Sequence, residues 1–368
     1  MNPQGRTRRT RWMAAASTVA LLGGGAVVAT SAQASPSLPP RTAEQLLVDV
    51  QSPTVQALSG TVQTSADLGL PALPTGTGTS SSDPTALLSG DNTVRVWLDG
   101  QDRSRVSVIG SNEETSIIHN GSDVWTYSSA DRTAKHLTAN RTATEHQPTP
   151  VPSGAPTTPQ QAAQQVLAAM DPSTTVTTSG TARVAGRDAY ELVLTPAATE
   201  DTLVQSVTFA IDAETHLVLD VTVLGKGVDK PALQVGYSKI DYTSPDAGLF
   251  TFTAPAGTTV QEVAPPTQAD KQAPTDATKT DQAKPTVVGD GWDTVVVTKT
   301  GSALTSTSGT DNAQAQQAKA LLDSLPRVSG DWGSGRLLTG TLFSAVLTDD
   351  GRVAVGAVPA DRLYAALR

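Results

Sequence analysis

The chain has 368 residues and contains no cysteine, and its 26 basic and 35 acidic residues give a net charge of −9. The lack of cysteine excludes disulfides, thiolate metal sites, a cysteine nucleophile and a lipid-modified N-terminal cysteine. The acidic balance disfavours nucleic-acid binding, because phosphate contacts need a basic surface.

Residues 1–34 have the pattern of an export signal. Four arginines precede an apolar run at residues 13–29, and Ala32-Gln33-Ala34 forms a small-x-small cleavage site. Removing this segment, which has no acidic residue, changes the net charge to −13. Cleavage is the favoured interpretation, although the apolar run is about long enough for an uncleaved membrane anchor. We therefore expect an exported protein, either secreted or attached to the outer face of the cytoplasmic membrane.

The first part of the exported chain predicts one helix and six strands. Thr42 and Gln45 have the spacing of a capping box that opens a helix to about residue 50. A strand at 58–68 is followed by a Gly/Ser/Thr/Pro-rich insertion at 71–89, which predicts a mobile loop. Further strands are expected at 93–99, 104–109, 116–119, 123–128 and 133–138, with Asn120-Gly121 as a hairpin turn.

A proline-rich link at 145–157 leads to a second predicted helix. Thr158 is in the N-cap position, Pro159 is in the first helical position, and the helix continues to Met170. Its apolar residues share one side, so the helix is amphipathic and suited to lie across a sheet. These residues are Ala162, Ala163, Val166, Leu167 and Met170.

Residues 186–252 repeat strand-length segments with a large apolar residue at every second position. Because side chains alternate across a strand, this pattern predicts an antiparallel sheet with one apolar face. A second sheet could close over that face, or a curved sheet under small helices could leave an apolar hollow suited to a lipid. The rows are Tyr190, Leu192 and Leu194; Val207, Phe209 and Ile211; and Leu217, Leu219, Val221 and Val223, with further strands at 233–242 and 249–253.

The C-terminal part is separated by the clearest domain boundary in the chain. Residues 264–288 form the predicted disordered linker, because up to Thr286 they contain almost no aliphatic side chain beyond alanine. Residues 289–368 predict a small α+β module. Its expected elements are a strand at 292–298, a helix at 311–325, a hairpin of 337–348 with 353–358, and a helix at 359–367.

Three segments resemble motifs of the LolA-like lipoprotein-carrier superfamily. They are the turn and strand from Asn120 to Tyr127, the run from Gly186 to Pro196 followed by Ile211-Asp212, and the ending at residues 249–257. The resemblance extends over residues 42–263 and implies an α+β, mainly antiparallel fold, a half-open β-barrel with helices covering its concave face. It also implies binding of lipid or lipoprotein acyl chains. The tail from residue 289 is similar to the second domain of RseB/MucB relatives, which are periplasmic regulators of an anti-sigma factor.

No pattern typical of catalysis or of a metal site accompanies these motifs. His119, His136, His146 and His216 are scattered and lack the spacing of zinc ligands. A Gly-x-Ser-x-Gly elbow is missing from the sequence. We therefore predict no catalytic residue, metal or cofactor.

The favoured hypothesis is a monomeric binding or carrier protein for lipid or lipoprotein acyl chains. The alternative is a regulator that binds a membrane protein, an anti-sigma factor, through the tail. We expect the ligand to contact an apolar cavity lined by Val96, Leu98, Val108, Trp125, Tyr127, Val166, Met170, Tyr190, Leu192, Leu194, Val207, Phe209, Ile211, Leu217, Leu219 and Val221.

Overall fold

The structure is a computed structural model that describes residues 38–69, 87, 89–110, 112–138, 156–263, 285–299 and 322–368. The export signal, nearly all of the insertion at 71–89, most of the link at 145–157 and most of the linker lie outside the described residues. Residues 311–321 of the helix predicted at 311–325 also lie outside the described residues. The described residues belong to one compact unit.

A twelve-stranded sheet forms the larger part of the molecule. Its order is β12-β6-β5-β4-β3-β2-β1-β11-β10-β9-β8-β7, and all neighbours are antiparallel except β12, which is parallel to β6. The two edges, β12 and β7, are not paired with each other, so the predicted unclosed, mainly antiparallel fold is confirmed. The strands are β1 (Ala57–Ala66), β2 (Gly90–Asp99), β3 (Arg103–Ile109), β4 (Glu114–Asn120), β5 (Asp123–Ser128), β6 (Thr133–Thr138), β7 (Thr175–Val184), β8 (Arg187–Thr195), β9 (Val204–Asp212), β10 (Val218–Gly225), β11 (Pro231–Asp241) and β12 (Thr259–Val263).

Two helices cover the apolar face of β8, β9 and β10. Helix α1 (Ala43–Gln51) begins with the predicted capping box between Thr42 and Gln45, and α2 (Pro159–Ala168) is capped by Thr158. Both helices pack small or branched residues on the strands, which forms a helix-covered core. The helical contributors are Leu46, Val50, Ala162 and Ala163.

A second sheet of six strands follows, in the order β13-β14-β18-β17-β16-β15. Helix α3 (Ala360–Ala366) covers one face, where Val346, Ala354 and Leu363 are fully buried. The strands are β13 (Thr286–Val288), β14 (Val295–Lys299), β15 (Arg327–Gly330), β16 (Gly333–Thr339), β17 (Ser344–Thr348) and β18 (Arg352–Gly356).

The six-stranded sheet contacts the twelve-stranded sheet through backbone and side-chain hydrogen bonds. Leu203 N donates to Ala357 O at 2.8 Å, and Thr341 N donates to Leu68 O at 2.8 Å. The indole Nε1 of Trp292 donates to Thr174 Oγ1 at 2.7 Å. Trp292, Leu342 and Ala357 also pack against the helix-covered core, so the second sheet adds to the cover of that core.

The structure departs from the predicted elements where local turns interrupt the alternation. The strand expected at 249–253 is instead a single 3₁₀ turn, Ala247–Phe250, because the Asp246 side chain accepts from Gly248 N and turns the chain. The strand expected at 337–348 is divided into β16 and β17. Strands β7, β12 and β15 are mostly exposed and have no clear apolar alternation, so the sequence did not predict them. Strand β13 lies inside the predicted linker, whose prediction is wrong at residues 286–288, because three residues are too short for an alternation pattern.

Candidate functional site

Nine of the predicted ligand residues lie together in the helix-covered core. Seven of them are buried side chains of β8, β9 and β10, while Val166 and Met170 of the α2 region are partly buried beside them. Leu192 and Phe209 are 0% exposed. The seven are Tyr190, Leu192, Leu194, Val207, Phe209, Ile211 and Val221, and the molecule's own helices pack on them.

Five more lie in a second apolar cluster that includes β1, β2, β3 and β11. Val96, Val108, Leu217 and Leu219 are buried there, with Leu98 partly buried beside them. The expected single row from Leu217 to Val223 is wrong, because a β-bulge between Val218 and Asp220 adds one residue opposite β9. Leu217 and Leu219 therefore pack in a different cluster from Val221 and Val223.

Trp125 and Tyr127 lie on the other face of the sheet from Val96 and Val108. Trp125 is the cross-strand neighbour of Ile118, Ile118 of Arg105, and Arg105 of Trp97, so these side chains share one face of the sheet. Val96 is next to Trp97 along β2 and therefore lies on the other face. Phe252 covers both aromatic rings, with ring centroids 4.9 Å from Trp125 and 5.5 Å from Tyr127. The predicted residues thus form three groups, and the structure does not bring all sixteen into one cavity.

An open cleft of about 790 Å³ lies where α1 meets the ends of β8 and β9. Tyr190 is the predicted ligand residue that lines it, and its hydroxyl donates to Pro39 O at 2.8 Å. Leu38, Tyr190 and Ala213 belong both to the cleft wall and to the packing of the helix-covered core. The full lining is Leu38, Pro39, Pro40, Arg41, Glu44, Gln45, Val48, Asp49, Tyr190, Ala213 and Glu214.

Arg41, Glu44, Asp49 and Glu214 are the charged residues among those that line this cleft. Arg41 forms an ion pair with Asp49 and lies 5.9 Å above the ring of Tyr190. Glu214 is paired with Arg187 at 2.6 Å, and His216 Nδ1 lies 3.6 Å from Asp49 Oδ1. An apolar wall accompanied by a few polar groups is the usual composition of a small-molecule site.

Sequence patterns missed Leu38, Val48 and Ala213 as cleft residues. Val48 is 65% exposed, although Leu46 and Val50 on the same helix are buried. A β-branched apolar residue on the solvent side of an amphipathic helix was the available signal, because that side is normally polar. Leu38 and Ala213 carry no comparable signal, since each is a single apolar residue outside a strand or helix.

A second groove, of about 750 Å³, has a mixed polar and apolar lining. Side chains of β1, β8, β10 and β11 line it, including Gln63, Glu191, Asp220 and Gln234. Burial raises the pKa of Asp220, whose carboxylate accepts hydrogen bonds from Thr222 and Gln234.

Within the described part of the chain, no cluster of His, Asp and Glu side chains is arranged to hold a metal ion. In that same part, no helix has the length and apolarity that spanning a membrane requires.

No family model matches this sequence, and no curated protein matches it either. Solved structures similar to it include a chain of the Pseudomonas aeruginosa MucA/MucB complex, with 14% identity, a TM-score of 0.44, and 88% of this chain and 96% of that chain covered. A LolA superfamily protein from Nitrosomonas europaea has 13% identity, a TM-score of 0.22, and 58% and 99% covered. LprF from Mycobacterium bovis has 11% identity, a TM-score of 0.28, and 55% and 96% covered.

Proposed function

We propose that this protein binds the acyl chain of a lipid or lipoprotein outside the cytoplasmic membrane, without catalysing a reaction. The observation that carries the proposal is the open cleft beside α1, whose apolar wall continues into the helix-covered core. Its volume of about 790 Å³ is in the range of small-molecule sites. The export pattern of residues 1–34 supports the location.

We expect weak to moderate affinity for the acyl chain, as suits a protein that releases its ligand. Burying about ten methylene groups contributes ~8 kcal/mol, at ~0.8 kcal/mol for each group. Association costs of at least ~4 kcal/mol offset much of this gain. The result is weak to moderate binding.

Val48 gives the direct test, because it lines the cleft and its side chain is mostly exposed. Val48→Glu places a carboxylate in the acyl path and should weaken binding of a fluorescent twelve-carbon fatty acid by about tenfold or more. Val287→Glu changes a valine that is 61% exposed on β13, and it should leave binding unchanged. Equal binding of the fatty acid by wild type and both variants would show that the cleft is not the binding site.

A second candidate function is regulation through a membrane protein partner bound at the six-stranded sheet. The face of this sheet opposite α3 carries an apolar row in which Val287, Val296 and Val355 are cross-strand neighbours. Val287 and Val355 are exposed, although the outward face of such a sheet is normally polar. An extracytoplasmic segment of a membrane protein is the partner that the resemblance to RseB/MucB relatives implies.

The same two variants separate the candidates in a cross-linking experiment on isolated membranes. Under the regulator hypothesis, Val287→Glu abolishes a cross-linked band that Val48→Glu retains. A band of equal intensity in both variants would argue against the valine row as the partner surface.

A further inference from the structure

We propose that His136 is a pH-dependent clamp that fastens the edge strand β12 to the twelve-stranded sheet. This inference is independent of the proposed lipid function. It concerns the point where the chain leaves the twelve-stranded sheet towards the six-stranded sheet.

Both ring nitrogens of His136 face carboxylates. Nδ1 lies 2.9 Å from Glu262 Oε2 on β12, and Nε2 lies 2.9 Å from Asp123 Oδ1 on β5. A carboxylate can only accept a hydrogen bond, so both nitrogens must carry a proton to satisfy this geometry. The arrangement therefore selects the imidazolium ion, which is charged, over the neutral ring.

The surroundings of the ring favour the same state. The imidazole is stacked on Trp125 with a centroid distance of 4.1 Å and an interplanar angle of 12°, a position that suits a cation. Burial lowers the pKa of His136, but the hydrogen bonds to Asp123 and Glu262 outweigh that effect and raise it above 6.5. Phe252 packs on Trp125 and carries no charge, so Asp123 and Glu262 are the charged groups that face the ring from the described neighbouring elements.

Strand β12 depends on this contact more than an inner strand would. It has five residues, all exposed, and in the described sheet it pairs only with β6. Glu262 is the register partner of His136 across that pairing. When the ring loses a proton, one nitrogen faces a carboxylate without a donor, and the charge attraction between the ring and Glu262 on β12 is lost.

The sign of the pH effect follows from the raised pKa. The stabilisation of β12 is fully present below the unfolded-state pKa of about 6.5 and is lost as the pH rises through the higher folded-state value. The protein therefore holds β12 tightly in acid and loosely in mild alkali. Loosening β12 uncovers the edge of β6.

Hydrogen–deuterium exchange of the peptide containing residues 259–263 tests this clamp in the full-length protein. After correction for intrinsic exchange, protection should fall roughly three- to tenfold between pH 5.5 and pH 8.5, as expected for losing one partly exposed charged hydrogen bond and the positive charge behind the other. His136→Gln should make that protection independent of pH. His119→Gln is the matched control, because His119 lies on β4 facing the opposite side, and it should keep the wild-type pH dependence.

Two results would overturn the clamp. One is equal protection of β12 at both pH values in the wild type, and the other is an unchanged pH dependence in His136→Gln. Peptides from β9 and β10 report whether each variant is folded. Nitrogen-15 spectra of the imidazole give an independent readout, since both ring nitrogens of His136 should be protonated at pH 5.5 in the wild type.

Discussion

Arg187 and Asp212 belong to the segments that carry the sequence resemblance, and their contacts give them a structural role. The Asp212 side chain is buried, and its carboxylate accepts from Arg187 Nε at 2.8 Å and Arg187 Nη2 at 3.1 Å. It also accepts from Tyr242 and from the backbone N–H groups of Glu214 and Thr215. Burial raises the pKa of Asp212, but these donors hold it below 3.8. Burial likewise raises the pKa of Tyr242, to about 12.

We expect Asp212→Asn to lower the free energy of unfolding by about 3 kcal/mol at pH 7, because it leaves the Arg187 guanidinium without its buried partner. Glu214→Gln removes only the exposed partner of Arg187 and should cost less than about 1 kcal/mol. Since the folded pKa of Asp212 is depressed, its contribution is present above pH 3.8 and is lost as the pH falls through the folded value. Urea unfolding at pH 7 and pH 3 should therefore show a smaller difference between Asp212→Asn and wild type in acid; an undiminished difference would contradict this assignment.

At the scale of elements, one glutamine joins both covering helices to the sheet. Gln160 Nε2 on α2 donates to Val50 O at the end of α1 at 2.9 Å, and its Oε1 accepts from Val218 N at the β10 bulge at 3.0 Å. The amide thus satisfies one helix carbonyl and one backbone N–H at the bulge.

Gln160→Ala should lower the free energy of unfolding by about 2 kcal/mol, because two backbone groups lose a partner. Gln164→Ala is a suitable control, since Gln164 is exposed on the same helix, and it should change stability by less than about 0.5 kcal/mol. Thermal unfolding of the two variants measures the difference. Similar melting temperatures would show that the bridge does not hold α2 in place.

Alternation and capping predicted most elements, and side-chain-specific turns account for the remainder. Strands β5 and β6 have the predicted bounds, because the Asn120-Gly121 turn and the alternation of residues 123–138 agree. The bulge at Leu219 could not be predicted, since β10 continues as an apolar run whose register is set by β9 and β11. Because the register of β10 depends on its neighbours, the sequence predicted which segments are apolar strands but not which of their side chains lie under the helices. The cleft depends on the packing of α1 against β8, which no local pattern contains.

At the scale of the molecule, Trp292 connects the two sheets. Trp292 precedes β14, packs against the helix-covered core and donates its indole hydrogen to Thr174. Trp292 leads into the six-stranded sheet, and its contacts are with residues beside the larger one. Domain boundaries predicted from composition therefore do not imply independent stability.

Trp292→Ala should lower the free energy of unfolding by about 2 kcal/mol, since a partly buried ring and its hydrogen bond are lost. Trp292→Phe keeps the ring and should lose about half as much. Hydrogen exchange should become faster in both β14 and residues 170–176. Faster exchange confined to the six-stranded sheet would show that the two sheets are not energetically coupled.

The central claim is that the cleft beside α1 holds an acyl chain. Native mass spectrometry of the protein purified without detergent from membrane-containing cells tests it most directly. We predict that wild type and Val287→Glu carry a co-purified lipid-sized mass and that Val48→Glu carries little or none. Apo protein alone in all three samples, or equal lipid occupancy in Val48→Glu, would contradict the account.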